Sequence, residues 1–261
     1  MIRTRQTEQA ERAADFIEVT HSGALYRISI RRMRGARRFT LRVRAAARDV
    51  VLSMPLRAKL DDGRKFAEQH AAWIGARIKR LPEPVPFLNG AIVPFRGRDH
   101  TIIHEPAFRG GVWTETRLSG TFEHLVICSS GDSAHIDRRI HDFLKRHAKL
   151  DLTEAVNRHS TALGVKPLRV SLRDTSSRWG SCSASGNLNF SWRLILAPAF
   201  VLDYLAAHEV AHLKHLNHSS KFWDLTKQLC PATDSAEAWL KSHGSNLHRF
   251  GKAVDDRNQP S

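Results

Sequence analysis

Val201 to Trp223 reads VLDYLAAHEVAHLKHLNHSSKFW, an apolar run interrupted by His208, Glu209, His212, His215 and His218. The apolar residues predict a buried helix that begins after Pro198. Two histidines four apart on a helix lie on one face, one turn above the other. The imidazoles of His208 and His212 can therefore reach a single metal ion, with Glu209 beside it. A cation held this way lowers the pKa of a bound water from about 15.7 to about 7, and the adjacent carboxylate can take that water's proton.

A catalytic zinc site uses three protein ligands and keeps a fourth position open. His218 stands six residues after His212, the separation of the second and third histidines in the HExxHxxGxxH pattern. Six residues exceed one helical face, so the helix must end near His215 to Asn217. Asn217 is a residue that tolerates the left-handed conformation such a turn uses. His215, one turn beyond His212, is the rival third ligand. The longer pattern places glycine where this chain has His215, so the metzincin group itself does not fit. Without a metal, the same residues would be two hydrogen-bonded core histidines and a solvated third.

A chain of 261 residues with 41% apolar residues can bury a substantial core, as one large domain or two small ones. The first 15 residues carry no apolar signal region, and no run approaches the roughly 18 apolar residues of a membrane span. The expectation is a cytoplasmic protein with no membrane partner. Cys128, Cys182 and Cys230 are odd in number and form no CxxC, which excludes a disulfide framework and a thiolate zinc cage. The formal charge is +15, and nine arginines fall between Arg27 and Arg48. Such a patch attracts polyanions, so a nucleotide or nucleic acid stands as a possible partner through this region, against an ordinary solvated basic face.

The pattern along the chain predicts an α+β fold whose N-terminal half is β-rich. Residues 1–15 are expected to be disordered. Strands are expected at Phe16–Thr20, Leu25–Ile30, Phe39–Arg44 and Val50–Met54, with Arg42 and Arg44 facing water. One helix over 61–80 follows, then a stiff segment with Pro82, Pro84 and Pro86. A second group of strands spans Ile92 to Cys128 and closes the β-rich part, 16–132. The metal-binding part, 133–250, opens with a long helix from Ser133 to Leu163, stopped by Gly164. Its histidines, His135, His141, His147 and His159, read as a solvated face. Strands at Leu168–Arg173 and Leu188–Leu196 flank a polar loop, and Asn187 to Trp192 is the strand whose edge is expected to hold an extended peptide above the metal. Phe222 and Trp223 are expected to floor the site, and 251–261 to form a disordered tail.

Taken together, SRWGSC (Ser177–Cys182), Asn187, Asn189 and Trp192, Asp203-Tyr204, HEVAH and NHSSKFW (Asn217–Trp223) resemble the YgjP-like metallopeptidases. The upstream Trp73-Ile74, the proline segment and GAIVPFRGR from Gly90 extend the resemblance over roughly residues 20 to 250. It implies a zincin-like catalytic part built on the HExxH helix, with His208, His212 and His218 as ligands of one Zn²⁺ per chain and Glu209 as the catalytic residue. The expected activity is zinc-dependent hydrolysis of a peptide or protein. A nucleotide phosphoanhydride is the alternative substrate, and a nucleic-acid-associated protein with a zincin domain the third reading. Arg178, Asn187, Asn189, Trp192 and Tyr204 are the candidate substrate-binding residues. Arg178 has a rival role as the ion-pair partner of Asp174 or Asp203.

Overall fold

The computed structural model describes residues 16–44, 48–107, 111–175 and 178–251. The expected disordered ends, 1–15 and 252–261, lie outside these residues. Gly251, assigned to the tail, is held: its N–H donates to the Val85 carbonyl at 2.9 Å. The fold is mixed α and β, with sheets in the N-terminal half and helices toward the C-terminus.

The chain divides into two compact units at Glu83–Pro84, inside the proline segment. The first contains β1 (Phe16–His21), β2 (Ala24–Met33), β3 (Thr40–Arg44) and β4 (Asp49–Pro55), in the order β1-β2-β4-β3. Alternation builds its core: Ile17, Val19, Tyr26, Ile28, Val50 and Leu52 face inward onto Ala67, Ala71, Ile74 and Ile78. Arg42 and Arg44 face outward as expected, and so do Arg27 and Arg31, but not all are free. Arg27 lies over the Phe16 ring at 3.6 Å, and Arg44 is paired with Asp49.

The helix expected over 61–80 is two, α1 (Leu60–Gln69) and α2 (Ala71–Lys79). His70 is the break. Its Nδ1 lies 2.8 Å from the Phe66 carbonyl, the acceptor its own backbone N–H would use in a continuous helix, and that N–H turns to Ala67 instead.

The second unit opens with β5 (Ile92–Phe95), β6 (Arg98–Glu105), β7 (Val112–Ser119) and β8 (Phe122–Ser130), ordered β5-β6-β8-β7. This repeats the connectivity of the first sheet, an antiparallel hairpin, a parallel central pair and an antiparallel edge. The boundary drawn at 132/133 is thus displaced. Periodicity identifies these strands but not the helix they pack on, and Val93, Phe95, Ile102 and Ile127 share one core with Ile140, Phe143 and the histidine helix.

That core is organised by α3 (Ile136–Leu163), which ends as predicted at Gly164 in the left-handed conformation, φ 66°. The histidines on α3 do not form a solvated face. Of the four, only His135 is exposed, and it lies in the 3-10 turn before α3; buried His159 places Nε2 2.7 Å from Asp203 Oδ1. A third sheet, β10-β11-β9, joins β9 (Arg169–Arg173), β10 (Gly180–Cys182) and β11 (Asn187–Ser191). Trp192–Leu196, expected as strand, is a 3-10 turn capped by the Ser191 hydroxyl. Then come α4 (Ala199–Ala211), α5 (Ser220–Leu229) and α6 (Thr233–His243). Nearly every side of α4 is buried, which explains why its sequence is largely apolar apart from Asp203, His208 and Glu209.

Leu152 is fully buried in this core while Leu150, two residues away, is 59% exposed. Leu152→Ala is expected to cost about 2–5 kcal/mol in denaturant unfolding, and Leu150→Ala less than about 0.5 kcal/mol.

Candidate metal centre

The helix ends sooner than the spacing alone required. α4 stops at Ala211, a turn carries the chain through Lys214, and His218 comes back over the helix just before α5. Asn217 does not use the left-handed conformation. Among the described non-glycine residues only Ser22, Arg48 and Arg96 have positive φ. The return rests on packing instead: Phe222 of α5 is fully buried, stacks on the His212 ring at 4.5 Å and meets the His208 and His218 rings at 4.9 and 4.8 Å. Trp223 closes a second side at 5.9 Å from His208 and 5.7 Å from His218. The floor expected of these two rings is present.

One ring nitrogen from each of His208, His212 and His218 falls within 4.8 Å of the others. His208 Nε2 and His218 Nε2 are 3.2 Å apart. Two nitrogens bonded to one tetrahedral zinc at about 2.0–2.1 Å stand about 3.3–3.4 Å apart, so this spacing suits a shared cation. His215 is outside the group. Its carbonyl lies 2.9 Å from His212 Nδ1, and a carbonyl can only accept, so Nδ1 carries the proton and Nε2 presents its lone pair.

A second chain of bonds orients His208. The Tyr204 hydroxyl donates to Glu237 Oε1 at 2.9 Å and lies 3.2 Å from His208 Nδ1. With its proton given to the carboxylate, the hydroxyl oxygen accepts from His208 Nδ1–H, and the His208 lone pair is again on Nε2. Burial pushes His208 down to about 3, with the charges of His212 and His218 adding; burial lowers His212 too. Both are neutral at neutral pH, the state a metal requires.

Glu209 is only 4% exposed, and its Oε2 has no hydrogen-bond partner among the described residues. Burial raises its carboxyl to about 8, against the opposing charge of Arg178. Its place depends on Gly180 of β10: a Cβ there would sit 2.8 Å from Glu209 Cδ and overlap Oε1. Cys182, two residues on, is a thiol raised by burial and by the Glu209 charge, and it is not among the clustered ligands.

The proposed substrate contacts separate. Arg178 and Asn189 line one cavity together. Arg178 does not pair with Asp174 or Asp203, which take Arg193 and the Arg158–His159 pair. Trp192 is fully buried, edge-on to His141, and therefore packs in the core rather than meeting substrate. Tyr204 serves His208 from the side away from the other two histidines. The Asn187 amide is spent on Ser183 and Ser185, closing the turn between β10 and β11. Strand β11 is paired on both sides, so among the described residues the edges of this sheet are β10 and β9, and β10 is the one that runs against Glu209.

Sequence reasoning missed Glu237, the role of Gly180, and Arg193. Arg193 is buried and reaches Asp174 and the carbonyls of Leu247 and Phe250. No local pattern announces them, since each acts across the fold.

The family model described as YgjP-like, metallopeptidase domain, matches residues 37–243. A metal-dependent peptidase class is therefore what fold, histidine cluster and match together define. The chain belongs to the YgjP-like family. No curated protein and no solved structure is significantly similar to it. The match supports a peptide or protein substrate and lends none to nucleic-acid binding by the arginine-rich first unit. No helix among the described residues is long and apolar enough to cross a membrane.

Glu237→Gln and Tyr204→Phe are each expected to weaken divalent-metal affinity about tenfold, read by competition with a chromophoric chelator. Glu237 is exposed, so an unchanged affinity in Glu237→Gln with intact folding would remove this bond chain from the site.

Proposed function

We propose that the chain is a zinc-dependent metallopeptidase in which His208, His212 and His218 hold one Zn²⁺ and Glu209 is the general base. The observation that carries this reading is a buried carboxylate raised to about 8, its Oε2 without a hydrogen-bond partner among the described residues, beside three converging imidazole nitrogens. A carboxylate without a partner is costly in a core, and proton transfer is a use that needs its oxygen free. Bound there, zinc would supply Lewis acidity, lowering the pKa of water and polarising a carbonyl.

The chain's own residues do the rest. Glu209 takes the proton of the attacking water and returns it to the leaving amine, so the carboxyl begins and ends each cycle ionised. His218, exposed where His208 and His212 are half-buried, leaves the side toward solvent open for substrate. The free edge of β10 offers backbone groups to an extended peptide, and Gly180 brings that edge against Glu209. This replaces β11 as the peptide-bearing strand.

Glu209→Gln is expected to keep zinc while peptide turnover falls by at least about a hundredfold. Retained turnover would remove Glu209 from the mechanism. The same variant gives a pH test on metal-free protein. Because the folded carboxyl is raised from 4.5 to about 8, its contribution favours folding at low pH and is lost progressively as pH climbs through that window. The wild type minus Glu209→Gln difference in Tm should therefore fall between about pH 5 and pH 8.

A further inference from the structure

A peptide laid along the open edge of β10 turns its side chains alternately to the two faces of the sheet. The faces differ. Gly180 and Cys182 pair with Phe190 and Leu188, whose buried side chains lie on the face that meets Glu209. Ser181 pairs with Asn189, and Asn189 with Ser171, on the opposite face. Arg173 belongs to that second face too, its Nε 3.4 Å from Asn189 Oδ1. There Arg173, Thr175, Arg178, Ser181 and Asn189 line a cavity of about 220 Å³ whose remaining wall is Gly180 and Phe190, at the strand pair nearest Glu209.

Its electrostatics choose the occupant. Neither Arg173 nor Arg178 has an ion-pair partner among the described residues. The acid next to Arg173 in sequence, Asp174, is already taken: Arg193 donates Nε to Oδ1 at 2.8 Å and Nη2 to Oδ2 at 3.1 Å. Burial alone would raise Asp174, but these bonds and the Arg193 charge hold it below the usual carboxylate value. The Thr175 hydroxyl is spent on the Arg178 carbonyl at 2.7 Å, so two guanidinium groups, the Asn189 amide and the Ser181 hydroxyl face a cavity with no carboxylate in its lining. A planar, bidentate acceptor is the complement of such a donor set. The charge of Arg178 also reaches Glu209, which places the cavity close to the reacting atoms.

We infer that this cavity is the subsite for an acidic side chain, aspartate or glutamate, carried by the substrate residue that faces away from the metal beside the scissile bond. The inference rests on the peptidase reading for its geometry. The chain's net charge of +15 adds long-range attraction for the same substrates.

The test uses the full-length Glu209→Gln protein loaded with zinc, which separates binding from cleavage. Fluorescein-labelled neutral peptides carry a single glutamate walked through successive positions, each beside its glutamine twin, and anisotropy reads affinity. Glutamate at one register should bind at least about tenfold tighter than glutamine. Arg173→Ala should abolish that preference, and Arg173→Glu should turn it into a preference for lysine. Glutamate giving no gain at any position, or a gain that survives both Arg173→Ala and Arg178→Ala, overturns the subsite. So does competition by inorganic tripolyphosphate that depends on Arg173 when glutamate shows no effect, since the occupant is then a phosphate. Wild-type turnover of the same peptides judges the peptidase reading separately: an Arg173-dependent glutamate preference without any cleavage would retain the subsite and sink that reading.

Discussion

The constraint on which the site depends is the burial of one carboxylate, Glu209, on a largely apolar helix. Glu209 lies in the core that α4 shares with α3 and the third sheet, where an ionised group without a partner is strongly disfavoured. Two features make the position tenable. Gly180 leaves room for the carboxylate against β10, and burial shifts the group toward its neutral form. A cation among the adjacent imidazoles would reverse that shift, so the carboxylate and the histidines are best understood as one electrostatic unit.

The surroundings hold this unit in place from several directions. Behind His208, Tyr204 and Glu237 of α6 direct the imidazole; behind His212, the His215 carbonyl does the same. Phe222 and Trp223 of α5 pack against the three rings. Arg193 ties the 3-10 turn after β11 to Asp174, which follows β9, and to the carbonyls of Leu247 and Phe250. Helices α4, α5 and α6 thus each contribute to the same few atoms. Short connections between them keep the return path of His218 tight.

How much of this was legible followed from whether the information was local. Strand alternation in the first sheet, the glycine stop of α3 and the four-residue spacing of His208 and His212 are properties of neighbouring residues, and they read correctly. The spacing of His218 pointed to a turn back but not to how it is made, because stacking on Phe222 replaced the left-handed Asn217. Trp192 and Asn187 shared a strand with Asn189, yet only Asn189 faces the cavity: the strand ends at Ser191, and Asn187 is spent in the turn. His159 looked solvated beside charged neighbours, but its partner, Asp203, lies on another helix. The same blindness to long-range pairing put the unit boundary after the second sheet, and made β11 rather than β10 the open edge.

The most direct measurement of the central claim is metal content by elemental analysis of the purified wild type, His218→Ala and His215→Ala, after zinc loading and removal of excess ion. The account predicts about one zinc per chain in the wild type and in His215→Ala, whose backbone carbonyl remains, and a large loss in His218→Ala. Zinc retained by His218→Ala but lost from His215→Ala would contradict the ligand set. No zinc in the wild type would contradict the metal centre itself.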